Sequence, residues 1–230
     1  MRSMARHIDA EPKPRSPAEK WQKPVIQSVG SVALLKVKPT NNPAFFDIVD
    51  RRRSLVGGPL PEIKLASVLW HSLRYRESGE GRFGMEWTSR TAPSAGGLHP
   101  IEILCLPVES DGLAGIYDPS GHAIRQLAHG LMDARAMNAK NLNELTGAIS
   151  GTTLQLVGDQ SKLDACYTEA DSLLLRDSGA LATIISLVAT ACDLRSVILG
   201  RMGTDVVRAA GIGPPFIGLG AIHVSAQFPG

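Results

Sequence analysis

The spacing of apolar and polar positions changes several times along the chain, and each change marks an element. Phe45, Phe46, Ile48 and Val49 form an apolar set just after Asn42 and Pro43. Asparagine caps helices and proline suits their first position, so a helix is predicted there, ending at the basic run Arg51-Arg52-Arg53-Ser54. Pro61 opens a second helix that carries Leu65, Leu69 and Leu73 at helical spacing, with Trp70 beside them. Residues 76–100 read as a long loop rich in Gly, Ser and Arg. Residues 101–108 predict a strand, followed by a turn at 109–112 and a second strand around Gly115-Ile116-Tyr117. The sequence Asp118-Pro119-Ser120-Gly121 then stops that strand, as such residues do in turns. Residues 123–150 read as a mostly surface helix and 153–159 as a strand. The most apolar helix covers 168–193; it is hydrophobic on most sides and therefore central. A strand at 196–200, a short helix at 204–210 and a last strand at 216–224 close the chain. Strands and helices intermix without regular βαβ alternation, which predicts an α+β fold with one mainly antiparallel sheet flanked by helices.

Composition narrows the class. A chain of 230 residues, 43% apolar, can bury one good-sized core, and a formal charge of +2 points neither to disorder nor to nucleic acid. The charge is uneven: residues 1–42 hold eight Lys/Arg against three Asp/Glu. With the four prolines of residues 1–24, this predicts a flexible arm, and residues 25–38 a short strand or an extended segment lying on the body. Residues 43–230 then form the folded domain. Cys105, Cys166 and Cys192 show no CxxC pair, so buried thiols in a reducing compartment are expected. The six histidines lack metal-site spacing. No secretory stretch and no membrane-length apolar run stand out, so the cytoplasm is the expected location.

Three stretches are candidates for chemistry. Arg52, Arg53 and Ser54 suit a phosphate, because guanidinium groups bond phosphate in pairs and the hydroxyl adds a donor; a basic cluster equally complements the dipole at a helix C-terminus. Pro93-Ser94-Ala95-Gly96-Gly97 lets backbone amides approach a ligand closely, or forms a structural turn. Leu199-Gly200, after the central helix, offers strand-end amides to a planar ring, or is plain core packing.

In order and spacing, the pieces R-R-S, R-x-x-P-S-A-G-G-L-x-P-x-E, G-x-Y-D-P-x-x-H-x-I-x-x-L, D-x-G-A-L-x-x-x-I-x-L-x-A-T-A-x-x-L and V-I-L-G make the chain resemble the nitroreductase-like flavoprotein superfamily. Within it the chain looks most like the SagB-type (thiazole/oxazole) dehydrogenase branch, over about residues 44–225. The resemblance implies a nitroreductase-like α+β fold in an interlocked homodimer with FMN at the subunit interface. Arg52, Arg53 and Ser54 would contact the phosphate, with Arg201 assisting. Pro93, Ser94, Ala95, Gly96 and Gly97 would cover the flavin from one subunit, and Leu199 and Gly200 would lie beside its redox edge. Three positions depart from the family pattern. Val56 replaces a basic residue, His99 replaces a tyrosine, and Asp164-Ala165-Cys166-Tyr167 keeps the tyrosine but not the lysine of a Lys-Tyr pair.

The expectation is an oxidoreductase moving hydride to or from a small organic or peptide-derived substrate, in a natural-product setting, with NAD(P)H as a donor to test. Tyr167 is the candidate acid/base and His99 a second polar group at the flavin face. Neither nucleic acid nor membrane is an expected partner. The alternative is a catalytically silent subunit of the same fold that binds a partner.

Overall fold

The computed structural model describes residues 9–37 and 42–228. In chain order its elements are β1 (Lys13–Pro14), β2 (Ser28–Ala33), α1 (Phe45–Arg51), α2 (Glu62–Leu73), β3 (Glu77–Glu80), β4 (Glu86–Ser89) and a 3-10 turn at Ala95–Gly97. They continue with β5 (Ile101–Pro107), β6 (Gly115–Asp118), β7 (Ala123–Leu127), α3 (Leu131–Thr146), β8 (Thr152–Asp159), α4 (Gln160–Cys166) and β9 (Tyr167–Thr168). Last come α5 (Asp171–Ala191), β10 (Arg195–Leu199), α6 (Thr204–Ala209) and β11 (Phe216–Ser225). Seven strands form one sheet in the order β10-β11-β8-β5-β6-β7-β2, and every pairing in it is antiparallel. The architecture is α+β, with helices on both faces of the sheet.

The two faces follow from the period-2 alternation of the strands. On β5, Ile101, Ile103 and Cys105 face Leu65 and Leu69 of α2 and Ile185 and Ala189 of α5. Leu104 and Leu106 face the other way, towards Ala134 of α3 and Val206 and Val207 of α6. A sheet covered twice needs strands without a polar face, and all eight residues of β8 are buried.

The structure differs from the sequence expectation at several places. Residues 123–127 are β7, so the helix expected over 123–150 begins at Leu131. The long loop contains the β3–β4 hairpin. β2 pairs with β7 at the sheet edge, and the His122 ring holds the chain just beyond it, with Nε2–H donating to the Leu35 carbonyl at 3.1 Å. Helix α1 starts at Phe45 without a side-chain cap, so Asn42 does not cap it, and it buries none of its residues: Phe45 and Phe46 are 62% and 76% exposed. Helix α5 packs on β10, β11 and α2 through Leu174, Leu181, Ile185 and Ala189, while Gly179 and Thr183 on its other side are exposed and Ile184, Leu187 and Val188 only half-buried. By length and mean hydropathy alone this helix could cross a bilayer; here it is a core helix with one open face.

One buried polar pair makes a testable statement about stability. His223 on β11 is fully buried; its Nε2–H donates to the Ser150 carbonyl at 2.9 Å and Nδ1 accepts from the Thr153 hydroxyl at 3.2 Å. Burial lowers its pKa from 6.5 to about 4, so the folded ring stays neutral. Between those values the unfolded chain binds the proton and the folded chain does not, so stability should be complete above pH 6.5 and fall as pH drops towards 4. Urea unfolding at a series of pH values should show that slope, and His223→Gln should lessen it, leaving the share of His71, His99 and His122, whose pKa values are lowered too.

Candidate functional site

The four residues of the basic run have separate fates. Arg51 pairs with Asp193, the residue that follows α5 and Cys192. Arg53 Nη1 donates to the carbonyls of Asp50 and Arg52 at 2.7 and 2.9 Å, closing the C-terminus of α1 in the way the helix-dipole reading describes. Arg52 is half-buried and, among the described residues, its guanidinium has no hydrogen-bond or ion-pair partner. Ser54 is exposed and bridges to Ser196 at the start of β10, where Leu55 N–H donates to the Ser196 carbonyl at 3.1 Å. Beside this stretch lies a depression of about 240 Å³ lined by Arg53, Asp193 and Arg195.

β10 ends the sheet order, and among the described residues its outer edge is met only by the bridge from Ser54 and Leu55 to Ser196. Since the Ser196 carbonyl points outward, strand alternation turns the backbone groups of Ile198 the same way, and Gly200 follows the strand as a bend. Leu199 is buried against Leu142 and Ala221, whereas Gly200 is exposed and a side chain there would meet nothing within 4 Å. From Ser196 to Gly200 the strand advances about 13 Å. Arg201 then turns inward. Its Nη2 donates to Asn138 Oδ1 of α3 at 2.6 Å, while Nε and Nη1 are buried with no partner. Among the described residues no hydrogen bond or ion pair joins it to Arg52 or Ser54.

The small-residue loop belongs to a different group. Asp177 of α5 accepts from the Ser94 hydroxyl and from Ala95 N–H at 3.1 Å, and Ser94 Oγ in turn accepts from His99 N–H at 2.9 Å. Burial raises the Asp177 pKa, although both bonds from the loop act against that shift. Gly96 and Gly97 sit at φ +60° and +67°, and the loop packs tightly here. A Cβ on Gly96 would lie 2.9 Å from the Tyr167 hydroxyl, and one on Gly97 only 2.1 Å from Trp87. Both glycines are thus required within the protomer. Pro93 is exposed on the same loop. Tyr167 also stacks edge-on against Phe83 at 5.1 Å, and burial raises its pKa above 10, so it carries its proton at neutral pH. His99 adopts φ 46° and its Nε2–H donates to the Thr88 carbonyl at 2.8 Å. Burial, with Arg90 and Lys162 nearby, lowers its pKa to about 4 and keeps the ring neutral.

No protein-family model and no curated protein matches the sequence. Solved structures do match. A candidate nitroreductase from Ralstonia eutropha JMP134 aligns with a TM-score of 0.65 at 17% identity, over 93% of this chain and 100% of that one. A chain of the E. coli microcin synthetase McbBCD complex, solved with truncated pro-MccB17 bound, aligns at 0.57 and 14% identity, over 88% of this chain and 77% of that one. A candidate nitroreductase from Desulfovibrio desulfuricans in complex with FMN aligns at 0.51 and 17% identity, over 82% and 88%. The chain has the nitroreductase fold.

Within this nitroreductase fold the candidate residues form two groups. One is Arg52 to Ser54 with Leu199 and Gly200 along β10; the other is Pro93 to Gly97 with His99 and Tyr167. Among the described residues no hydrogen bond or ring contact joins the two. Asp177 and Arg90 open two of the sequence motifs, D-x-G-A-L and R-x-x-P-S-A-G-G, but the sequence assigns them no role, since that of Asp177 depends on a loop 82 residues away. Sequence reasoning missed Lys162, which stands with Arg90 near His99; a single basic residue in a short helix gives no periodic signal. Asp177→Ala should release the loop and leave Ala95 N–H without its acceptor, costing about 1–3 kcal/mol. Hydrogen exchange should quicken at Ala95 and His99 while the β8 amides stay protected.

Proposed function

We propose that this chain is a cytoplasmic, homodimeric FMN oxidoreductase acting on a small organic or peptide-derived substrate. The observation that carries the reading is that the guanidinium of Arg52, two residues before the exposed Ser54 that bridges to β10, has no hydrogen-bond or ion-pair partner among the described residues, while Gly200 just past the strand end is exposed and open. A phosphate suits the first pair and a planar ring suits the second end. Bound there, FMN would supply hydride transfer in either direction. The chain's own part is to grip the phosphate through Arg52 and Ser54 and to orient the ring by the outward backbone of Ile198 and the exposed Gly200. Tyr167, protonated at neutral pH, is the proton donor, and neutral His99 lines the same loop. NAD(P)H is the electron donor to test first, and a natural-product pathway is a fitting setting.

The dimer has its own support. Phe45 and Phe46 of α1, 62% and 76% exposed, adjoin the half-covered face of α5. An apolar helix face left open on a soluble fold marks an association surface, and a second copy would cover it. It would also bring the Pro93 to Gly97 loop of one subunit to the β10 edge of the other.

One observation favours the silent-subunit reading. Val56, where the family pattern has a basic residue, is committed to packing against Leu199 and Leu142. Titration with FMN, followed by absorbance and light scattering, separates the two readings. The enzyme reading expects a yellow dimer with one FMN per subunit, and a tenfold to hundredfold weaker affinity in Arg52→Ala, the size of a lost charge-assisted contact of about 1.5–3 kcal/mol. A protein that refuses FMN supports the silent subunit. For chemistry, Tyr167→Phe should slow turnover by about 10²–10⁴-fold at unchanged flavin content. Equal rates would return Tyr167 to its packing role against Phe83.

A further inference from the structure

A second cavity lies away from β10, where the sheet forks. β5 pairs with β6 only at Leu104 and Cys105, so Ile101 to Ile103 and the end of β6 diverge. The gap between them is a cleft of about 420 Å³, roofed by β4 and by Trp21 of the N-terminal segment. That volume falls in the range of small-molecule pockets.

Four cations and four carboxylates line the cleft, and among the described residues Arg90 and Lys162 have no acid at ion-pair distance. Arg90 has only neutral partners: Nε donates to Thr88 Oγ1 at 3.3 Å, Nη2 donates to the Tyr75 hydroxyl at 3.2 Å, and the guanidinium lies 4.6 Å from the Tyr75 ring centre. Lys162 Nζ donates to the Leu98 carbonyl at 2.5 Å and stands 5.0 Å from the Trp21 ring centre. The acids that line the cleft are engaged elsewhere. Glu102 pairs with Lys23 at 3.0 Å, Asp159 caps α4 and accepts from Ser161, and Asp118 accepts twice from Ser120. Glu86 is exposed on β4. Burial, then repulsion from Arg90 and Lys23, lowers the Lys162 pKa against the weaker opposing pull of Asp159 and Glu102.

Leu73, Met85, Ile101 and Ile103 supply the smaller, apolar part of a largely polar wall. We propose that this cleft is a binding site for an organic carboxylate with an apolar body, its carboxylate held between Arg90 and Lys162. A guanidinium takes a carboxylate through two parallel bonds, the ammonium adds a point charge, and the apolar part of the wall accepts the hydrocarbon. The carboxylate belongs either to a free acid or to the C-terminus of a peptide. His99 also lines the cleft, which therefore adjoins the Pro93 to Gly97 loop, but the geometry of the cleft is that of the chain alone.

Calorimetry on the full chain tests it, with phenylacetate as the free acid, N-acetylphenylalanine as the peptide end, and the amide of each as a neutral match. Each acid that binds should do so at least tenfold more tightly than its amide. Lys162→Met and Arg90→Gln should each weaken it about tenfold or more. Preference for N-acetylphenylalanine assigns a peptide terminus, and preference for phenylacetate a free acid. Arg90 is largely enclosed, so Lys162→Met, checked for an unchanged melting temperature, keeps the test valid if Arg90→Gln does not fold. The proposal fails if acids and amides bind alike, if no acid binds at millimolar concentration, or if folded Lys162→Met binds as the wild type does.

Discussion

A helix that is apolar around most of its circumference must be covered on two sides, and α5 organises the molecule by that demand. The sheet covers one side through Leu174, Leu181, Ile185 and Ala189. Everything tied to the helix takes its place from this packing. Asp177, in its N-terminal half, fixes the Ser94 loop, and Asp193 beyond its C-terminus holds Arg51 and so the basic run. Ser186 reaches Ser196 on β10 at 3.0 Å, which sets the strand edge beside the same helix. The other side of α5, with Gly179 and Thr183, stays open in the single chain.

The residues of R-R-S show how a single cluster divides its work. Arg53 satisfies helix carbonyls and Arg51 an aspartate, so the structural reading of the cluster accounts for two of its three arginines. Arg52 alone keeps its donors. Likewise Gly96 and Gly97 are needed for Tyr167 and Trp87 to pack, whatever else approaches the loop.

Much of the fold was legible in the sequence because the strands that carry the core alternate strictly or are wholly apolar. Ile101 to Pro107 is the clearest case, whereas Thr152 to Asp159 buries two threonines, a glutamine and an aspartate among its apolar residues. Residues 123–127 misled because Ala123, Ile124 and Leu127 fit helical spacing as well as strand spacing over so short a run. The candidate site was legible as separate motifs and illegible as geometry. Nothing in the local pattern tells that Arg201 turns to Asn138, or that Arg90 and Lys162 share a cleft, because those contacts join segments more than 60 residues apart.

The largely bare edge of β10 has a consequence for the single chain. It carries Ile198, 50% exposed, and the outward backbone of an unpaired strand, which is a template for any passing chain. Natural sheets blunt such edges with charge or proline, and Val197 to Leu199 has neither. Ser54 and Leu55 shelter only the Ser196 end, so Ile198 is the place where a stray strand would add to the sheet of the single chain.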